Sequence, residues 1–200
     1  MEPILFATRN EDKFKEAEAI LSERGLVVKM LKEPKLEVQS DSLKRIARLA
    51  AVSLVKHGWS PVLVEDTGLF IHALNGFPGP YSSYVLRSLG NKGVLKLMDG
   101  VADRGAVFRC AVAFCRTGEK PVAFQGEAQG RIAVEERGIR WGYDPIFEPY
   151  NGGGLTFAEM GPEKKNKLSH RRMAFDRFLD WYMSGQTGSF DLRSPLGGVR

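Results

Sequence analysis

A chain of 200 residues, 43% apolar and 26% charged, has the size and composition of one soluble globular domain. No apolar run approaches the roughly 20 residues of a membrane helix. Met1-Glu2-Pro3-Ile4 lacks the basic-then-apolar pattern of a secretion signal, so membrane and secreted classes are set aside in favour of the cytoplasm. The net charge of +5 favours an anionic partner without choosing between nucleic acid and nucleotide.

In chain order, residues 3–7 read as a short buried strand. Asn10 is a good cap for a helix carrying Phe14, Ala17, Ile20 and Leu21 at helical spacing, ended by Gly25. Residues 26–31 predict a second strand. Ser40 or Asp41 is expected to cap a helix that buries Leu43, Ile46, Ala47, Ala50 and Leu54. Residues 61–64 predict a buried strand, with 69–74 extended behind it and a turn-rich loop at 75–80. Residues 82–98 read as helix broken near Gly90. Residues 106–115 and 122–133 predict two long strands joined by a turn at 117–120. Cys110 and Cys115 are an odd number of residues apart, which puts them on opposite faces of a strand, unpaired, and suits a reduced cytosolic setting. The Gly-, Pro- and aromatic-rich stretch 138–154 reads as a functional loop, and a last helix runs from about Ser169 to Met183. Strands alternate with helices early and a hairpin comes late, so the fold class is α/β with a mixed sheet. Residues 1–184 form the domain, and 185–200 are expected to be a flexible tail.

Four segments carry chemistry. Thr8-Arg9-Asn10-Glu11-Asp12-Lys13 sits where a strand meets a helix. Its backbone N–H groups, the Thr8 hydroxyl and Lys13 can hold phosphate oxygens, although it lacks the glycines of a Walker loop. The bland alternative is a capped helix with a solvated lysine. Glu65-Asp66-Thr67-Gly68 follows an apolar strand and offers adjacent carboxylates of the kind that hold Mg²⁺, or else an exposed turn; Glu37 is a possible third carboxylate. Trp141-Gly142-Tyr143-Asp144-Pro145-Ile146-Phe147 puts three aromatics into seven residues, either to stack on a base or to pin the loop. In Lys164-Lys165-Asn166-Lys167-Leu168-Ser169-His170-Arg171-Arg172, six of nine residues carry or can carry positive charge. Ser169 can cap the helix behind them and aim His170 and Arg171 into an anion site at its N-terminus, or the block is a solvated face.

Together these segments resemble the inosine triphosphate pyrophosphatases. Thr8-Arg9-Asn10-x-x-Lys13 is similar to the opening Thr-x-Asn-x-x-Lys of that family, and Leu36-Glu37-Val38-Gln39 to its Pro-Glu-x-Gln. Glu65-Asp66-Thr67-Gly68-Leu69, with Ala73-Leu74-Asn75-Gly76-Phe77-Pro78-Gly79-Pro80-Tyr81-Ser82, resembles its central signature. The segments 141–147, 156–160 and Lys165-Asn166-x-x-Ser169-His170-Arg171 complete the order. Leu36 stands where Pro is usual, Trp141 where Phe is common, and Lys164 where an acidic residue is common. The resemblance implies an elongated mixed sheet in two lobes around a cleft, usually in a homodimer. It implies a Mg²⁺-dependent enzyme that cleaves deaminated purine nucleoside triphosphates to monophosphate and pyrophosphate. Residues 8–13 (Thr8, Arg9, Asn10 and Lys13 among them) and Lys165 would hold the triphosphate. Glu37 and Asp66, with Glu65 as a further candidate, would hold the metal, and Asp66 would activate water. Thr67 would touch the substrate; Trp141, Gly142 and Tyr143 would flank the base, with Asp144 closing that loop. His170 and Arg171 would read the 6-oxo edge. Two alternatives stay open: a pyrophosphatase of other modified nucleotides, and a non-catalytic nucleic-acid-binding protein. The resemblance favours neither nucleic acid nor membrane as partner.

Overall fold

The structure is a computed structural model that describes residues 3–185; apart from Gly185, the expected tail lies outside the described residues. Three parallel strands form one half of the sheet. β1 (Ile4–Ala7) lies between β2 (Val28–Leu31) and β3 (Val62–Ile71). β5 (Gly105–Cys115) pairs antiparallel along the whole of β3, β6 (Val122–Ile132) pairs with β5, and β7 (Phe147–Pro149) pairs with β6. The order across the sheet is therefore β2-β1-β3-β5-β6-β7.

The length of β3 positions the site. β1 covers the free edge of β3 only from Val62 to Val64, and the two-residue β4 (Pro78–Gly79) covers it again at Leu69 and Phe70. Between them, residues 65–68 present an edge that no strand pairs. The sequence places Glu65 to Gly68 at a strand end; the structure places them inside one ten-residue strand. The antiparallel partner β5 carries the strand through, because each of these residues has a ladder partner there, from Val112 to Arg109.

Three apolar clusters hold the sheet. On one face, α1 (Glu11–Ser22) and α6 (His170–Met183) bury Ile20, Leu21, Phe175 and Phe178 against Phe6, Leu63 and Phe114. On the other, α2 (Leu43–Lys56) lays an alanine-lined face of Ala47, Ala50 and Ala51 on Val62, Val64 and Ala111. The far half of the sheet carries the third, in which Leu69, Phe108, Ile132, Phe147 and Phe157 pack beneath α3 (Ser82–Ser88) and α4 (Gly90–Leu97). Each buried Leu or Phe contributes roughly 1.5–3 kcal/mol. Cys110 lies in the first cluster and Cys115 in the α2 cluster, on opposite faces and unpaired.

Three local expectations change. Ser42, not Ser40 or Asp41, caps α2 and accepts from the Arg45 N–H, while Ser40 accepts from Ser42 itself. The expected loop at 138–154 contains β7, a strand too short to show periodicity in the sequence. The basic block is divided between two helices. Pro162 opens the separate α5 (Pro162–Leu168), and Ser169, in extended conformation, ends it and caps α6 by accepting from the Arg172 N–H. Among the described residues no helix is long and apolar enough to cross a membrane.

Candidate active site

A cleft of about 530 Å³ opens over the uncovered edge of β3. The end of β1 supplies Thr8, Arg9 and Asn10. The Thr8 hydroxyl accepts from the Asn10 N–H at 3.1 Å, and the Asn10 side chain accepts from the Lys13 N–H at 3.0 Å, which starts α1 with Lys13 facing the cleft. The segment after β2 supplies Lys35 and Glu37, and β3 supplies Asp66 and Thr67. Trp141 to Asp144 and residues 165, 170 and 171 close the opposite end. Every residue expected at the site lines this cleft except Glu65, which lies behind it.

Alternation along β3 sends Glu65 and Asp66 to opposite faces, and they do different work. Glu65 is buried and fully engaged. Arg171 donates to it through Nε at 2.6 Å and Nη2 at 3.0 Å, Thr67 donates its hydroxyl, and Lys13 Nζ lies at 3.1 Å. Burial opposes its ionisation, but Arg171 and then Lys13 outweigh that and hold the carboxyl well below its ordinary value. Such a carboxylate is a counter-ion with no direction left for a metal. Asp66 is the reverse. Its Oδ2 is buried with no hydrogen-bond partner. Burial pushes the carboxyl up to about 6, against the pull of Lys13 and Lys35.

The other end is a closed ion network. Lys165 Nζ lies 2.6 Å from both Glu16 and Asp144, and Arg171 Nη1 donates to Glu16. Trp141 lies over both cations, its ring centre 4.9 Å from Lys165 Nζ and 5.5 Å from Arg171 Cζ. His170 stacks flat on Phe108 at 4.3 Å, and neither of its ring nitrogens has a partner. Burial, with Arg171 and Lys165 beside it, pushes this imidazole well below its ordinary value, so it is neutral at pH 7. Tyr143 lines the cleft with its ring but donates its hydroxyl to the Ser82 carbonyl at 2.8 Å; Ser82 in turn ties Leu69 to Gly79. The Gly142 carbonyl accepts from Asn91 at 3.1 Å.

Two glycines let these parts approach. A Cβ on Gly126 would lie 2.3 Å from the His170 carbonyl, so only Gly lets α6 bring its first turn down on β6. A Cβ on Gly68 would lie 2.4 Å from the Gly79 carbonyl.

Sequence reasoning missed Glu16 and Lys35. Glu16 stands three residues after Lys13, on the same face of α1, but Glu11, Asp12, Lys15 and Glu18 around it make it look like ordinary surface charge. Among the described residues no three metal-ligating side chains cluster.

A strand-end cleft with cations, an uncommitted carboxylate and an aromatic wall over a mixed sheet defines an α/β protein built to bind a nucleotide-like anion. The chain belongs to the Ham1 family, whose sequence profile matches residues 4–181. It is 50% identical over 186 residues to the dITP/XTP pyrophosphatase of Methanopyrus kandleri, covering 92% of this chain and 98% of that one. It is 48% identical to the dITP/XTP pyrophosphatase of Methanosarcina mazei, covering 92% and 100%. The solved structure of a HAM1 protein from Coxiella burnetii superposes with a TM-score of 0.80 at 30% identity, covering 92% of this chain and all of that one.

Proposed function

We propose that this protein is a nucleoside triphosphate pyrophosphatase acting on deaminated purine nucleotides: the triphosphates of inosine, deoxyinosine and xanthosine. The observation that carries the reading is that one cleft joins an uncommitted carboxylate, Asp66, to an uncommitted buried imidazole, His170, with lysines along the way. Two pyrophosphatase relatives, each about half identical over nearly their whole length, support it.

The substrate lies across the sheet. Its base sits under Trp141 over β5–β7, and its phosphates run over the end of β1 and the uncovered edge of β3. Thr8, Asn10 and Lys13 hold the phosphates. Asp66 takes a proton from water as the water oxygen bonds to the α-phosphorus; the bond from that phosphorus to the bridging oxygen breaks, and pyrophosphate leaves. The donor set fits Mg²⁺, since Asp66 Oδ2 is free, Glu37 is exposed, and this ion needs only one or two carboxylates beside substrate oxygens. When bound, Mg²⁺ supplies charge neutralisation and alignment of the phosphates. At the base end a neutral imidazole N–H suits a 6-oxo acceptor, and the N–H groups of Arg171 left free by Glu65 and Glu16 can add to it. Adenine offers a donor at that position and leaves these groups unpaired, which can discriminate by about 10⁴. The homodimer and the cytoplasmic setting implied by the resemblance belong to the same proposal.

Incubation with Mg²⁺ and inosine, xanthosine, guanosine or adenosine triphosphate tests it. Monophosphate and pyrophosphate from the first two alone is the expected result. Release of orthophosphate and diphosphate would sink the cleavage site, and equal turnover of all four would sink the base pocket.

A further inference from the structure

Lys35 belongs to none of the motifs that carry the family resemblance, yet it lines the cleft. It reaches the edge of β3 that β1 leaves uncovered. There its ammonium donates to the Glu65 carbonyl at 3.0 Å, supplying the hydrogen bond that a longer β1 would have made. That is the only hydrogen bond it makes among the described residues, and it forms no ion pair with a carboxylate. An ammonium has three N–H groups, so most of its donor capacity is unused. Lys35 is half-buried, with its hydrogen bond only partly shielded from solvent. Lys165 is the contrast: two carboxylates at 2.6 Å have already neutralised it.

Topology places Lys35 along the substrate. It follows β2, at one edge of the sheet, while Trp141 precedes β7 at the opposite edge. With the base under Trp141, the Lys35 ammonium on the edge of β3 lies toward the phosphate side of the cleft, where Lys13 also reaches Glu65. We propose that Lys35 is a substrate-binding residue that holds the terminal phosphates and then the departing pyrophosphate, where negative charge builds up as the bridging oxygen leaves. This rests on the functional reading above.

Two variants separate charge from architecture. Lys35→Gln keeps an N–H donor for the Glu65 carbonyl but removes the charge; Lys35→Met removes both. The readout is inhibition of inosine triphosphate turnover by inorganic pyrophosphate and, separately, by inosine monophosphate. Both variants are expected to weaken pyrophosphate inhibition about tenfold or more, as loss of a charged contact does, and to leave inosine monophosphate inhibition within about twofold. Wild-type pyrophosphate inhibition in Lys35→Gln would overturn the proposal and make Lys35 a tie for the loop. So would parallel loss of both inhibitions, or a wild-type protein that pyrophosphate does not inhibit. A wild-type protein that releases no pyrophosphate from inosine triphosphate would instead defeat the underlying reading, and the proposal with it.

Discussion

The two ends of the cleft handle charge in opposite ways. Under Trp141, Lys165 and Arg171, with Lys13 against Glu65, match Glu16, Glu65 and Asp144, and His170 is neutral. At the open end, Asp66 has a free oxygen, Glu37 is exposed, and Lys35 makes no direct ion pair among the described residues, although Asp66, Glu65 and Glu37 attract it from nearby. A balanced pocket has no net attraction for an ion, so it selects by shape and hydrogen bonding. An unbalanced one is finished only when phosphates and a cation arrive. On the proposed reading, the closed end is thus preorganised by folding and the open end is completed by the substrate.

The largest expected effect breaks the closed end. Arg171 is buried and donates to two buried carboxylates, so Arg171→Ala leaves Glu16 with Lys165 alone and Glu65 with only Lys13 and Thr67. Removing one member of a buried ionic network costs about 3–5 kcal/mol. Urea unfolding is expected to show a loss of that size, and with it loss of activity on every substrate. A folded, fully stable Arg171→Ala that loses only discrimination between inosine and adenine would mean that Arg171 is primarily a base reader.

Next comes the open end. Asp66→Asn keeps the shape and removes the base, so kcat is expected to fall by at least about 10²-fold. Turnover within a few-fold of wild type would remove Asp66 from the proton transfer. The same substitution is expected to help stability, and the sign follows from the raised value. In the fold Asp66 ionises at about 6, above the 3.8 of an unhindered aspartate, so the native state favours the proton. Its contribution is fully present below about pH 4 and is lost as pH rises through about 6. Asparagine is never ionised. Metal-free Asp66→Asn should therefore match wild type near pH 4 and exceed it above pH 6 by on the order of 2 kcal/mol. Thermal melts at both pH values in a chelator measure this, and a flat difference between them would contradict the burial of the carboxylate.

How much of this was legible depends on range. The Asn10 cap, the α1 periodicity and the long hairpin strands are local patterns, and the structure forms them where the sequence puts them. The pairing of Glu16 with residues 165 and 171 joins side chains about 150 positions apart, and no spacing rule reaches that far. β7 is three residues long and exists because β6 offers it an edge. Glu65 and Asp66 read as twins in the sequence; only the continuation of β3 along β5 turns one inward as a counter-ion and leaves the other free.

The smallest effect sharpens the comparison at Tyr143, whose aromatic ring suits a base contact and whose hydroxyl suits a strut. The hydroxyl donates to the Ser82 carbonyl, and Ser82 ties β3 to the turn before α3. Tyr143→Phe keeps the ring against Phe108, 6.4 Å away between centres, and removes only that bond. A neutral buried hydrogen bond contributes about 1 kcal/mol net, and the Ser82 carbonyl left behind adds a modest desolvation cost. A loss of about 1–2 kcal/mol is expected in urea unfolding, with KM for inosine triphosphate changed less than about threefold. A large rise in KM with stability intact would move Tyr143 from the frame of the base end into its recognition surface, and would mean that the preorganised end leaves more of its recognition to the substrate than its closed ion network suggests.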